Sequence, residues 1–317
     1  MYILHSKKEY SMKKYTMIGL SLCVCAHSME TTTYTIREPR EWNAEEYARG
    51  NFFQEEAALQ FLKESGINLT NKKVLDVGCG TGNITSKIAT TAQYVHGIDA
   101  SKNMIDYAQT TYGNIPNLSF EHSFAEDFTT EEQYDYALSL FCLHWIEDKQ
   151  AAFEKINTSL KKNGEVFCTI ASSSNPAPFG VAVLKELLTT LQPAHDFVHN
   201  INITQESDLK RYVISDEECK EILLKSGFEI ITYEEKSRTH IFKDRKELAL
   251  FQRPVAMSRP LFKNLPETER EFLFNEYINL CLTKLKKDEN DNYIFNGTTT
   301  TVIHARKIAN IIDSTLS

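Results

Sequence analysis

The chain has no long apolar run, no surplus of cations and no clustered cysteines, and each absence removes a class of protein. No stretch of it approaches the roughly 18 consecutive apolar residues of a membrane-spanning helix, so stable membrane insertion is not expected. Lysine and arginine number 35 against 43 aspartates and glutamates, for a formal net charge of -8. That balance disfavours a phosphate-backbone partner, and no nucleic acid is expected to bind. The seven cysteines, Cys23, Cys25, Cys79, Cys142, Cys168, Cys219 and Cys281, are odd in number and scattered, which argues against a disulfide framework. Cys23-Val24-Cys25 is too closely spaced for the usual zinc half-site, and no metal is expected. No internal repeat is present, and Lys286–Asn292 reads as a solvated turn. What remains is an ordinary globular composition, 42% hydrophobic and 25% charged, on 317 residues, enough for one large domain or two.

Residues 1–28 differ in character from the rest of the chain. Met12-Lys13-Lys14 precedes a short apolar run from Tyr15 to Ala26, the pattern of a secretory signal. The alternatives are a true start at Met12 or Met29, or an amphipathic extension. Residues 29–317 read as one domain.

One stretch organises that domain. Val74-Leu75-Asp76-Val77-Gly78-Cys79-Gly80-Thr81-Gly82 reads as a buried strand that stops in a glycine turn, and Asn83–Ala89 follows with helical spacing. Strand, glycine turn and helix N-terminus together make a nucleotide site. Glycine serves there because the turn demands positive φ and because a Cβ would hold a ligand off the backbone. Asn83-Ile84-Thr85 is a glycosylation triplet inside this motif, and a glycan there would destroy the site.

Further strands are expected at Tyr94–Asp99, Leu118–His122, Tyr134–Phe141, Glu165–Ala171, Phe228–Glu234 and Thr299–Arg306. Helices are expected over Glu55–Glu64, from Ser101 as N-cap onward, over Lys149–Leu160, Gly180–Leu191 and Asp216–Ser226, the last with a Ser215/Glu218 capping box. Residues 238–287 read as mainly helical, an insertion before the last strand. Strands alternating with helices predict an α/β fold with a sheet covered on both faces.

The spacing Gly-x-Gly-x-Gly, with Asp76 beside it, differs from the Gly-x-Gly-x-x-Gly of dinucleotide enzymes. A carboxylate there repels pyrophosphate and suits a cationic ligand. Asp99, closing the second strand, is placed to accept from ribose hydroxyls, with capping of the next helix as the plainer role. Met104 either covers an adenine or packs in the core. These residues describe a nucleoside with a positively charged amino-acid tail, S-adenosylmethionine.

This pattern resembles the class I S-adenosylmethionine-dependent methyltransferases from about Tyr47 to Arg306. Leu143-His144-Trp145, Leu160–Glu165, and Tyr47 with Gln54 resemble the carboxyl methyltransferases of small acids: the trans-aconitate, juvenile hormone acid and malonyl-carrier enzymes. The resemblance implies a Rossmann-like, seven-stranded, mostly parallel sheet with its last strand antiparallel, and a helical cap at about 238–287. It implies a cofactor site of Asp76, Gly78, Cys79, Gly80, Asp99, Ala100, Met104, Ala125, Glu126 and Leu140, with S-adenosylhomocysteine as product. Relatives often carry an acid where this chain has Phe124, which leaves the adenine to backbone at Ala125 and Glu126. An acceptor pocket of Tyr47, Gln54, His144 and Trp145 is implied for a small molecule, most simply a carboxylate. His144 is the candidate base for a phenol or amine, or else lines the pocket. A protein that binds the cofactor without transferring methyl is the rival class. Arg238, Arg245, Arg253 and Arg259 either clamp a substrate carboxylate or form a solvated face. Because the donor is a cytosolic metabolite, cytoplasmic residence is expected, with export as the alternative if 12–28 is a signal. A monomer or weak dimer is expected.

Overall fold

The computed structural model describes residues 42–130, 133–173, 179–192, 195–199 and 212–308. Residues 1–28, with Cys23 and Cys25, lie outside them. The strands are β1 (Lys73–Val77), β2 (Tyr94–Asp99), β3 (Leu118–His122), β4 (Tyr134–Leu140), β5 (Leu160–Ala171), β6 (Phe228–Phe242), β7 (Lys286–Lys287) and β8 (Tyr293–Lys307). The helices are α1 (Ala44–Gly50), α2 (Phe52–Ser65), α3 (Asn83–Ala89), α4 (Lys102–Tyr112), α5 (Lys149–Ser159), α6 (Phe179–Leu191), α7 (Asp196–His199), α8 (Asp216–Lys225), α9 (Arg245–Met257), α10 (Pro260–Lys263) and α11 (Glu267–Lys284).

The sheet runs β3-β2-β1-β4-β5-β8-β6, with the two-residue β7 paired to β8 off this path. β3 to β5 are mutually parallel, and β8 runs antiparallel to both β5 and β6. The expected seven-strand path is therefore present, and β7 is an eighth strand that the sequence did not announce. Side-chain alternation sorts the strands onto two faces. Val74 and Phe167 pack with α2, α3 and α4 through Ala58, Phe61, Ile88 and Ile105. Leu75, Val166 and Cys168 pack with α5 and α8 through Phe153, Ile156 and Leu223. Both faces of the parallel strands are buried, which explains their near-continuous apolar runs.

A third core lies in the cap. It joins Leu184 and Leu187 of α6, Leu248 of α9, Phe262 of α10 and Leu273, Phe274 and Ile278 of α11 to Phe242 and Phe295. The cap differs from expectation in two ways. Its helices begin at Arg245, because 238–242 continue β6; its far bound, Lys286–Lys287, is β7. It also recruits α6 from the segment before β6, because the apolar face of α6 is buried on α11.

The register shows how the cap is raised. β5 ends at Ala171, opposite Thr300, which also pairs with Lys236. Beyond Lys236, β6 continues to Phe242 paired only with β8. At about 3.3 Å per residue this two-stranded arm rises roughly 20 Å past the carboxyl edge of the sheet, the edge where ligands bind in open α/β folds.

α1 is fastened to the cap. Pro254 inside α9 has no N–H for the Leu250 carbonyl one turn earlier, and Gly50 presses against that carbonyl so closely that a Cβ would overlap it. Arg253 of α9 adds Nε–H···Oε1 to Glu46 of α1 at 3.0 Å and a paired contact to Glu271 of α11. Gly50→Ala is expected to lower the unfolding free energy by about 1–3 kcal/mol, read in urea denaturation. An unchanged midpoint would mean that α1 and α9 do not meet there in solution.

Candidate active site

The glycine turn is built before any ligand arrives. The N–H groups of Gly78 and Cys79 both donate to the Ile98 carbonyl, at 2.8 and 3.0 Å. Asp99 receives the Gly80 N–H on Oδ2 at 2.9 Å and the Ser101 N–H on Oδ1 at 2.8 Å. Its carboxylate ties the end of β2 to the turn after β1. Ser101 stands at the N-cap of α4, as expected, but its side chain makes no capping bond. The Ser101 hydroxyl oxygen is buried without a hydrogen-bond partner among the described residues.

The three glycines serve different ends. Gly78 and Gly82 have φ of 78° and 79°, and a Cβ on either would overlap or crowd side chains, Cys142 Sγ for Gly78 and the Phe120 ring for Gly82. Gly80 is the one that opens onto free space, where the nearest atom to an added Cβ is Tyr47 Cε1 at 3.8 Å. The ligand-clearance argument therefore holds at Gly80, while packing governs the other two. Asn83, at the head of α3, bonds Asn51 and Glu55 through its amide and accepts from Tyr112.

Asp76 is buried at the end of β1 and accepts from Thr85 Oγ1 at 2.7 Å. Burial pushes its carboxyl up to about 6; the Thr85 bond opposes this and the nearby Asp99 adds to it. Burial also raises Asp99, against its two backbone bonds. Two acids facing one turn, both penalised when charged, make a site that favours a cation. Cys79, Cys142 and Tyr47 are all pushed up by burial and by Asp99, so they stay protonated at neutral pH.

Around the turn, Met104 is buried yet belongs to none of the three apolar cores. Ala125 is buried and Glu126 half-buried, in a turn closed by the Phe128 N–H donating to the Phe124 carbonyl at 2.9 Å. Ala100 is half-buried beside Asp99, and Leu140 is buried as the last residue of β4. Phe141, next in sequence, sits at φ 59°, a strained conformation for a bulky side chain, held by its N–H to Thr169.

The strained residue leads into a 3-10 turn, Leu143–Trp145. It presents a continuous aromatic wall. His144 lies 5.1 Å from Trp145, Trp145 meets Trp42 edge-on at 5.6 Å, and Trp42 meets Tyr47 at 5.6 Å. The structure thus brings together Tyr47, Trp145 and His144, and adds Trp42. The two tryptophans of the chain are both in this wall. Gln54 lies on α2, and its Oε1 is buried with no hydrogen-bond partner among the described residues. Beside the wall, Trp42, Tyr107, Met257 and Arg270 line an open cleft of about 700 Å³ between α1, α4 and the cap.

The candidate arginine clamps are largely engaged within the protein. Arg253 is shared by Glu46 and Glu271, Arg245 bonds Asn275 and Asn279, and Arg238 bonds Gln60 and covers the Phe61 ring. Among the described residues no helix is long and apolar enough to cross a membrane.

Comparison with known proteins meets this geometry. Residues 74–164, from β1 to the start of β5, match the methyltransferase domain family. The chain carries that domain and is an S-adenosylmethionine-dependent methyltransferase. Its cofactor is S-adenosylmethionine, and the open space over Gly80, the paired acids and the unpartnered Gln54 carbonyl fit such a group. The methyltransferase is 28% identical over 262 residues to "Putative methyltransferase 235L" of Invertebrate iridescent virus 6, spanning 82% of this chain and 91% of that one. It is 26% identical to juvenile hormone acid O-methyltransferase of Bombyx mori, over 75% of this chain and 85% of that protein. A crystallised methyltransferase-like protein of Bacillus halodurans shares the fold, at TM-score 0.52 and 16% identity, over 80% of this chain and all of its own.

The division of labour among the glycines is testable by denaturation. Gly78→Ala is expected to cost about 2–4 kcal/mol, from backbone strain plus the clash with Cys142. Gly80→Ala is expected to cost about 1–2 kcal/mol, from strain alone. Adding Cys142→Gly to Gly78→Ala is expected to recover part of the loss; additive losses would show that the Cys142 side chain is not the obstacle.

Proposed function

We propose that this enzyme methylates a carboxylate oxygen of a small-molecule acid, with the donor held at the Asp76–Gly82 turn and the acceptor against the Tyr47–Trp42–Trp145–His144 wall. The observation that carries this is that the Cys79 and Cys142 thiols and the Tyr47 hydroxyl beside the turn stay protonated, so none of the three serves as a base there. An acid is already ionised at neutral pH and needs no base. The likeness to juvenile hormone acid O-methyltransferase, over 85% of that protein, supports the same acceptor class.

In this reading Asp76 faces the ammonium of the donor's amino-acid tail and Asp99 its ribose. Backbone at Gly78, Cys79 and Gly80 lies along the tail. Ala100, Met104, Ala125, Glu126 and Leu140 enclose the adenosine, while Tyr47 and Gln54 close the site from α1 and α2. The cofactor supplies a methyl group already activated by its sulfonium. What the chain contributes is alignment of acceptor oxygen, methyl carbon and leaving sulfur, worth up to about 7–11 kcal/mol as effective molarity. His144 lines the pocket.

Two measurements test this. Because Asp76 must ionise to meet a cation, S-adenosylhomocysteine affinity is expected to weaken about tenfold per pH unit below about 6. Asp76→Asn is expected to weaken binding at neutral pH and flatten that slope; a flat profile in the unaltered enzyme would remove Asp76 from the site. In a labelled-methyl assay against a panel of acids, His144→Ala is expected to keep most of the turnover. Collapse of turnover with binding intact would instead point to a phenol or amine acceptor and to His144 as base. Binding of the cofactor without transfer to any acceptor class would favour a binding protein.

A further inference from the structure

Lys149 occupies a place where a cation costs stability twice. It is 2% exposed, and it is the first residue of α5, behind the N-cap Asp148, where the helix dipole disfavours positive charge. Burial draws its ammonium below the usual lysine range, against Cys219 and the carboxylates of Glu218, Glu126 and Glu147. An apolar side chain of similar length would avoid both costs.

Its contacts lie at the exit of the 3-10 turn that carries His144 and Trp145. The ammonium donates to the Ile146 carbonyl at 2.8 Å and lies 5.8 Å from the centre of the Tyr212 ring, within cation–π reach. Ile146 closes the 3-10 turn by donating to the Leu143 carbonyl, and the Tyr212 N–H donates to the His144 carbonyl at 2.9 Å. Lys149 therefore fastens that turn at its exit and touches the residue that fastens its middle.

We propose that Lys149 is a positioning residue for the acceptor: its ammonium holds the His144–Trp145 turn, and through that turn it sets where an anionic acceptor lies against the wall. The second half rests on the carboxylate reading above. In methyl transfer to a carboxylate, an oxygen lone pair forms the new O–C bond as the C–S bond breaks and its electrons return to sulfur. The acceptor's charge is greatest before reaction and is gone in the ester. A wall held in place binds acceptor and transition state alike, so loss of Lys149 shows in KM rather than in kcat.

Lys149→Met and Lys149→Arg in the full chain test this. For Lys149→Met the expected results are a Tm equal to or above that of the unaltered enzyme and an S-adenosylhomocysteine affinity within about twofold by calorimetry. The near-ultraviolet circular dichroism of Trp42 and Trp145 is expected to change. KM for an acid that the unaltered enzyme methylates should rise at least about tenfold, with kcat within about twofold. Lys149→Arg is expected to recover most of that KM. A lower Tm, an unchanged tryptophan signal, an unchanged KM, or equal losses in kcat and kcat/KM would each overturn the proposal. If the unaltered enzyme methylates no acid of the panel, the acceptor reading fails; Tm and the tryptophan signal then still decide whether Lys149 holds the wall.

Discussion

The donor side of the carboxyl edge depends on the two hydrogen bonds that Asp99 receives from backbone. One oxygen takes the Gly80 N–H and the other the Ser101 N–H, so the turn after β1 and the entry to α4 share a single anchor. That anchor is negative and partly withdrawn from water, and the buried Asp76 stands close enough to raise the cost of charging both. The turn is thus rigid in shape and unsatisfied in charge. Rigidity spares the ordering cost on binding, and the unsatisfied charge selects a cationic ligand.

The proposed acceptor side is organised differently. Its wall comes from two separate places in the chain, Trp42 and Tyr47 around α1 and His144 and Trp145 after β4, and the cleft beside it adds groups of α9 and α11. None of these is anchored by one bond. α1 is held by Gly50 against a carbonyl that Pro254 leaves without a helical donor, and by Arg253 between two carboxylates. The strained Phe141 and the knot around Ile146 fix the turn after β4. Donor and acceptor surfaces therefore rest on different supports, and they meet where Tyr47 approaches Gly80 and where Cys142, at the head of the 3-10 turn, packs on Gly78.

Legibility in the sequence divides along the same line. The Asp76–Gly82 run is contiguous, and its apolar pairs, acid and glycines each carry a local physical meaning; the positions of the strands and helices followed from periodicity. The acceptor side is assembled by tertiary contact, which no local period announces. Trp42 carries no local sign of the wall, because its partner, Trp145, is about a hundred residues away. Lys149 looked like the polar start of a helix, since burial is not written in a single charged residue. Arg253 suggested a substrate clamp, yet Glu46 and Glu271 engage it. α6 was recognisable as a helix but not as part of the cap, because membership depends on what covers its apolar face.

The arm formed by β6 and β8 beyond Lys236 behaves as a lever. Two-stranded ribbons twist more freely than wide sheets, and here a register irregularity at Arg238/Thr239 falls close to where the ribbon leaves the sheet. Such a bulge bends a strand and increases its local twist. Over a ribbon of roughly 20 Å, a change of about 10° at that joint displaces its tip by about 3–4 Å, comparable to the thickness of one aromatic ring. The space left for an acceptor is thus geared to a few backbone angles at a joint that touches neither donor nor acceptor. Pocket width in this fold can be retuned there with the donor turn left as it is.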